Sequence, residues 1–240
     1  MKIYKCQTNN CNNTVKTRRT KWCASCKEDK HYANMITKNE EQLIISGIFG
    51  DGCLFKQTAK YHNYKGSSIH REYVEFKKSI FTSLSCSNIN TTLNAGYKVG
   101  NIYSITSQAH PEISKIKNDS MENNLNKLEE LGLAIWFYDD GSFHNKKHFY
   151  NLNSHALSYD LQNDVLIPLL KNKLDINATI AYDRKVDGRI FTYLRVNKIS
   201  GNALNISDLL KKYPMKCFKY KYLSSEAIPK GSSSQEGSET

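Results

Sequence analysis

At 240 residues and 27.5 kDa the chain can hold one large domain or two of ordinary size, and it can bury a core without disulfides. Its 34 Lys and Arg against 23 Asp and Glu leave a net charge of +11, which attracts a polyanion and is lost on an ordinary metabolite. No apolar run reaches the roughly 18 residues that span a bilayer, and "MKIYKC" lacks the apolar stretch of a secretory leader, so nucleic acid is the expected partner and no membrane is.

Residues 1–30 carry eight basic and two acidic side chains and few apolar ones, too few to fold around a hydrophobic core. Cys6-x4-Cys11-x11-Cys23-x2-Cys26 supplies two thiolate pairs separated by a loop, the spacing of a tetrahedral Zn²⁺ site. A zinc-finger-like module over 1–32 is therefore expected, its loop presenting Lys16, Arg18, Arg19 and Lys21 to DNA. Reduced thiols place the protein inside a cell: the cytoplasm of a bacterium or phage-infected host, or an organelle. Cys53, Cys86 and Cys217 are scattered and read as packed thiols.

From Asn39 to Leu54 the pattern reads as a helix, with Glu40 and Glu41 in its first turn and Leu43, Ile44, Ile45, Ile48 and Phe49 along it. Ser46, Gly47 and Gly50 weaken helix propensity and suit close approach by another helix. A strand (53–60), a polar turn near Lys65-Gly66, the helix "REYVEFKKSIFTSL", the strand "YKVGNIYSITSQ" and a short helix opened by Pro111 follow. "KNDSMENN" at 117–124 reads as a linker.

The order then repeats. A helix through "LEELGLAIWFYDD" ends at Asp140-Gly141, followed by strands within 142–157, a helix near 160–173, the alternating strands "INATIAY" and "RIFTYLRVN", and a closing helix "SGNALNISDLLKKY". Two diverged αββαββα halves of an α+β fold are expected, over 37–120 and 121–224, with a disordered Ser/Gly-rich tail over 225–240. Asp187-Gly188 joins two alternating runs and reads as a tight hairpin turn.

"IISGIFGDGCL" (44–54) and "LAIWFYDDGSF" (133–143) each deliver a carboxylate to a helix C-terminus, where exposed carbonyls repel anions. A cation there resolves the conflict. Asp51 and Asp140, with nearby backbone carbonyls, suit Mg²⁺, which would activate water and stabilise charge on a phosphodiester. In "RIFTYLRVNK", Ile190, Thr192, Leu194 and Val196 alternate with Arg189, Phe191, Tyr193, Arg195 and Asn197, so one face can pack while the other reads bases in a major groove. Asn151, Asn153 and His155 align likewise in "FYNLNSH". Lys219 and Lys221 in "KKYPMKCFKYKY" are expected phosphate contacts, as is Lys65.

The two helix motifs, with "REYVEFKKSIF" and "YPMKCFKYKY", resemble the LAGLIDADG homing endonucleases in their single-chain, two-repeat form, over about residues 39–222. The resemblance implies that Asp51 and Asp140 are the metal ligands, with backbone carbonyls of Gly50 and Asp139 beside them. It implies a water-ordering residue at the end of the second strand of each repeat: His155 in the second half, in place of the usual Thr-Gln, and a loose match around Lys65 and Gly66 in the first. A basic residue near the scissile phosphate is matched to Lys146 or Lys147. The implied activity is Mg²⁺-dependent cleavage of double-stranded DNA by a monomer, at a long non-palindromic site, with 3′ overhangs. An RNA maturase acting on an intron and a non-cleaving DNA-binding regulator are the alternatives, because both use the same basic surface.

Overall fold

The computed structural model describes residues 4–5, 14–15, 35–56, 60–93, 100–144, 147, 149–187, 189–196 and 202–222. Cys6, Cys11, Cys23 and Cys26, the loop residues Lys16, Arg18, Arg19 and Lys21, Lys146, Asn197 and the tail lie outside them. At the N-terminus, β1 (Tyr4–Lys5) pairs antiparallel with β2 (Thr14–Val15). The chain divides into two compact units: residues 1–48 with 52–120, and residues 49–51 with 121–240.

In the first unit the order is α1 (Lys38–Phe49), β3 (Gly52–Lys56), β4 (His62–Ser68), α2 (Arg71–Ile80), β5 (Asn90–Leu93), β6 (Asn101–Thr106) and α3 (Pro111–Asn118). The sheet is antiparallel with order β3-β4-β6-β5. α1 opens with a capping box: the Glu40 N–H donates to Thr37 Oγ1 (3.3 Å), and the Thr37 N–H returns to Glu40 Oε2 (2.6 Å).

Glu40 does more than cap. Fully buried, it also accepts from the backbone N–H groups of Thr82 (2.9 Å), Ser83 (2.8 Å) and Leu84 (2.9 Å), and from the Ser83 hydroxyl. Those amides are thereby withdrawn from any continuation of α2, which stops at Ile80 instead of running to Leu84 as its apolar spacing predicts. Burial alone would raise the Glu40 pKa; hydrogen bonds from Ser83, Leu84 and Thr37 outweigh it and bring it down to about 2.

The small residues near the end of α1 divide between two neighbours: Gly50 meets Asp139 of the second helix motif, as expected, whereas Gly47 does not. A Cβ on Gly47 would lie 2.6 Å from the Tyr64 ring, and one on Gly52 would lie 2.5 Å from the Gly47 Cα, so these glycines admit a strand and its aromatic ring, not a second helix. Ser46 is buried and turns its hydroxyl back to the Leu43 carbonyl (2.9 Å). Lys65-Gly66 is not a turn but the middle of β4. Gly66 is required there because Tyr64 folds over it, its hydroxyl 2.6 Å from where a Cβ would stand. The expected linker shrinks to residues 119–120, since α3 reaches Asn118 and α4 (Met121–Lys127) begins at once.

The second unit continues with α5 (Glu130–Asp140), β7 (Gly141–His144), β8 (Phe149–Asn153), a π-wound segment (Leu161–Leu166) running into α6 (Ile167–Leu174), β9 (Ala178–Val186), β10 (Arg189–Val196), α7 (Asn202–Lys212) and a 3₁₀ segment (Lys216–Lys221). Its sheet order, β7-β8-β10-β9, repeats that of the first unit. α5 is apolar all round and buried from Leu131 to Tyr138, the signature of a core helix. The π winding gives way to α6 next to Pro168, which has no N–H to offer the preceding turn. Asp187 takes a left-handed φ of 47° between β9 and β10, as a tight hairpin turn requires.

Leu194 and Val196 of β10 are fully buried, with Tyr150 and Leu152 on the same inner face. Ile190, expected with them, is 61% exposed. β8 pairs with Tyr193 to Val196 of β10, so the outer end of the β9–β10 hairpin extends beyond β8. Cys53 is exposed rather than packed, because its strand position faces outward; Cys86 and Cys217 are half-buried. Among the described residues no helix is long and apolar enough to cross a membrane.

Glu40→Ala should lower the unfolding free energy by about 3 kcal/mol at pH 7, as charged hydrogen bonds are lost and buried amides are orphaned. The Glu40 carboxylate binds its proton less readily when folded, so its contribution is present above pH 4.5 and fades as pH falls toward 2. Urea titrations of wild type and variant should converge over that window; identical midpoints at pH 7 would show that Glu40 holds nothing.

Candidate active site

The site is assembled at the C-terminal end of α5. Gly50 and Asp51 belong to the same compact unit as this helix end. The Asp51 backbone N–H donates to Asp139 Oδ2 at 3.3 Å. Gly50 makes that approach feasible: a Cβ there would stand 2.8 Å from both Cβ and Oδ2 of Asp139. Asp139 and Asp140 are half-buried and Asp51 is exposed.

Beneath these acids lies Lys221. Only 5% exposed, it donates from Nζ to the carbonyl oxygens of Phe137 (3.0 Å) and Tyr138 (2.6 Å), the last turn of α5, and its ammonium sits 4.8 Å from the Phe218 ring centroid. It thus satisfies carbonyls that a helix end leaves open. Its own carbonyl accepts from the Tyr150 hydroxyl. The Tyr138 hydroxyl lies 2.7 and 2.9 Å from the Leu210 and Tyr213 carbonyl oxygens, and burial pushes its pKa upward. Burial lowers the Lys221 pKa to about 8, while Asp139, Asp140 and Asp51 oppose that fall. The sequence places Lys221 among exposed phosphate contacts; the structure buries it under the acid cluster.

Next to Asp140 opens a cavity of about 310 Å³. Ser142 on β7, Asn151 and Asn153 on β8, and Tyr193 on β10 line it from the outer face of the sheet, where Ser142 pairs with Asn151 and Asn153 with Tyr193. His155, just past β8, and Asp183 on β9 complete it. Arg195 shares this face and is held by Asn151 Oδ1 (3.3 Å), the Tyr193 hydroxyl and the Phe149 ring (4.7 Å to the centroid).

A family model described as "LAGLIDADG DNA endonuclease family" matches residues 42–204. The chain belongs to the LAGLIDADG DNA endonuclease family. No curated protein sequence matches it. Among solved structures, "The homing endonuclease I-WcaI bound to its DNA recognition sequence" is similar with a TM-score of 0.63 and 18% identity, over 84% of this chain and 93% of that one. I-DmoI in complex with DNA and Mn (TM-score 0.47, 12% identity, 72% and 98% covered) and the N-terminal LAGLIDADG domain of WhiA (0.44, 16%, 82% and 92%) are more distant.

In this LAGLIDADG chain the structure gathers Gly50, Asp51, Asp139 and Asp140 in one place, and Asn151, Asn153, His155 and Tyr193 beside Asp140. Lys147 is exposed in the β7–β8 turn, its N–H on the His144 carbonyl (3.2 Å), and does not line the cavity. Lys65 and Lys219 are exposed, and Arg189 lies on β10 at the hairpin end beyond β8. Asp183 is a site residue that the sequence does not reveal, because one acid in an alternating strand carries no signal of where it points.

Among the described residues no three His, Cys, Asp or Glu side chains gather into a metal-binding group. Mg²⁺ does not require one: it commonly takes one or two carboxylates and completes its shell with water and substrate phosphate oxygens. The hard oxygen donors at the end of α5 fit such a shared cation.

The linkage between Lys221 and the acids is testable by its sign. A lysine with a folded value near 8 binds fewer protons than the unfolded chain between pH 8 and 10.5, so its burial weighs against the fold at low pH and is relieved as pH rises. Carbon-13 spectra of labelled lysines should show one midpoint near 8. In Asp139→Asn that midpoint should fall further; a rise, or no change, would separate Lys221 from the acids.

Proposed function

We propose that this LAGLIDADG protein is a site-specific endonuclease that hydrolyses both strands of a DNA duplex with a divalent cation, Mg²⁺ in the cell. The observation that carries the reading is the acid cluster at the end of α5, seated over a buried lysine and opening onto a cavity lined by a polar sheet face. Asp51 and Asp140 would hold the cation, with the backbone carbonyls of Gly50 and Asp139 at its edge. Bound there, the cation would polarise a phosphoryl oxygen and lower the pKa of a coordinated water.

The chain's own residues account for the rest. Lys221 offsets the negative charge of three acids, so the cluster persists before DNA arrives, and it anchors the carbonyls that would otherwise repel those acids. His155 would order a water in the cavity that Asp140 lines. Asn151, Asn153, Tyr193 and Arg195 offer amide, hydroxyl and guanidinium groups on one strand-paired face, which suits base edges in a major groove. Exposed Lys65 and Lys219, and Lys16, Arg18, Arg19 and Lys21 of the N-terminal segment, would contact phosphates. Cys6, Cys11, Cys23 and Cys26 would bind one structural Zn²⁺. The protein would act as a monomer on a long, non-palindromic site, because both repeats are on one chain.

The test is incubation of the full chain with a randomised duplex library in Mg²⁺, followed by sequencing of the ends. Recovery of one related set of sites with 3′ overhangs is expected, abolished in Asp51→Asn and Asp140→Asn proteins that remain folded. Selective binding with no cutting by the wild type would identify a regulator; RNA splicing activity without DNA cutting would identify a maturase. If Asp140→Asn cut both strands at the wild-type rate, the site assignment would be wrong.

A further inference from the structure

β9 carries one residue more than the stretch of β10 it faces. Phe191 pairs with Arg184 and Thr192 with Tyr182, so Asp183 is the extra residue, standing in a bulge between the two pairs. A bulge bends its strand and re-aims the side chain it carries. Here it brings the Asp183 carboxylate to 3.3 Å from Nε2 of His155, in the wall of the cavity that Asp140 also lines.

The His155 ring is met from two sides, and its backbone is held from a third. The His155 backbone N–H donates to Asn153 Oδ1 (3.1 Å), the ring stands edge-on to Phe191 (5.5 Å, 75°), and Nε2 faces the carboxylate. Nε2 has no exposed surface and, among the described residues, makes no hydrogen bond of regular geometry: in this ring orientation the Asp183 carboxylate, 3.3 Å away, lies off the N–H line and is the charge that Nε2 meets, although the His155 side chain as a whole is 23% exposed. A neutral imidazole whose Nε2–H points to a carboxylate has its lone pair on Nδ1, and a carboxylate in that place selects this tautomer.

We propose that Asp183 is a positioning residue: delivered by the β9 bulge, it holds His155 as the Nε2–H tautomer, so that Nδ1 accepts a hydrogen bond from a water beside Asp140. The proposal rests on the hydrolytic reading of the site. It adds a carboxylate whose role runs through the imidazole. A surface ion pair would serve stability alone; this pair sits on the outer face of the sheet, which makes a role toward a ligand the better account of the bulge.

The experiment has two arms. In the first, nitrogen-15 spectra of the ring nitrogens in the DNA-free protein, with the His155 signals assigned by their loss in His155→Gln, should show His155 predominantly Nε2-protonated. In Asp183→Ala the two tautomers should mix. In the second arm, the duplex recovered from the library is cut under saturating enzyme. Asp183→Ala should cut about 10- to 100-fold more slowly, with DNA affinity within twofold of wild type. Asp183→Asn retains an acceptor for Nε2–H and should stay within about fivefold of the wild-type rate.

An Nδ1–H tautomer in the wild type, wild-type cutting by Asp183→Ala, or equal losses in rate and affinity would each overturn the proposal. Should Asp183→Ala fail to fold, the wild-type tautomer and the Asp183→Asn rate decide alone. The two readings fail separately: a wild type that cuts nothing refutes the endonuclease, whereas Asp140→Asn inactive with Asp183→Ala fully active refutes only the dyad.

Discussion

Three carboxylates at the negative end of a helix would repel one another and the helix, and the site exists because Lys221 lies beneath them. Its ammonium satisfies the Phe137 and Tyr138 carbonyls directly and Asp51, Asp139 and Asp140 through space. Burying a lone ammonium would be costly; burying it between two carbonyls and three acids repays much of that, and the residue of the cost survives as a pKa near 8 instead of 10.5. The surroundings follow from the need to keep that lysine dry. α5 is apolar on every side, Tyr150 pins the Lys221 backbone, and Tyr138 and Tyr222 close the layer with their hydroxyls 3.0 Å apart.

The first unit solves the converse problem with the opposite charge. At the start of α1 a single buried carboxylate, Glu40, collects four backbone amides, just as Lys221 collects the carbonyls at the end of α5. In each case a buried charge is stable because the groups it meets are backbone groups that regular structure leaves unpaired. Glu40 thereby sets where α2 stops, and Lys221 sets how the last turn of α5 is held. One charge therefore fixes chain geometry at either place, which a Gln or a Met of similar size would do less firmly.

Features carried by local pattern were legible in the sequence. The all-apolar run from Leu131 to Tyr138 announces a core helix, Asp187 announces its hairpin, and the alternation from Tyr193 to Val196 separates an inner face from an outer one. What escaped depends on residues far apart in the chain. Gly66 resembles a turn residue until Tyr64 is seen to cover it, and α2 looks longer than it is because nothing in its own sequence reveals that Glu40 takes the next amides. The acids at Asp51 and Asp140 could be singled out because a carboxylate at a helix C-terminus violates a local electrostatic rule. Lys221 breaks none, as one lysine among five in its segment, and its burial was invisible.

The two sheets have the same strand order but different chemistry on their outer faces. In the first unit Lys65 pairs with Cys53 and Thr106, and Ser104 with Ser67 and Asn90, giving a face of three hydroxyls, one thiol, one amide and one ammonium. In the second, Asn151, Asn153, Tyr193 and Arg195 give amides, a phenol and a guanidinium, and among the described strands the register shift that introduces Asp183 falls between β9 and β10 alone. A homodimer of one repeat could not differ in this way, since any substitution would appear on both faces. Encoding both repeats in one chain removes that tie, so each face can change independently while packing constrains the buried layers beneath. Two unlike faces suit a target whose halves are unlike, and a His–Asp pair can arise in one repeat without being imposed on the other.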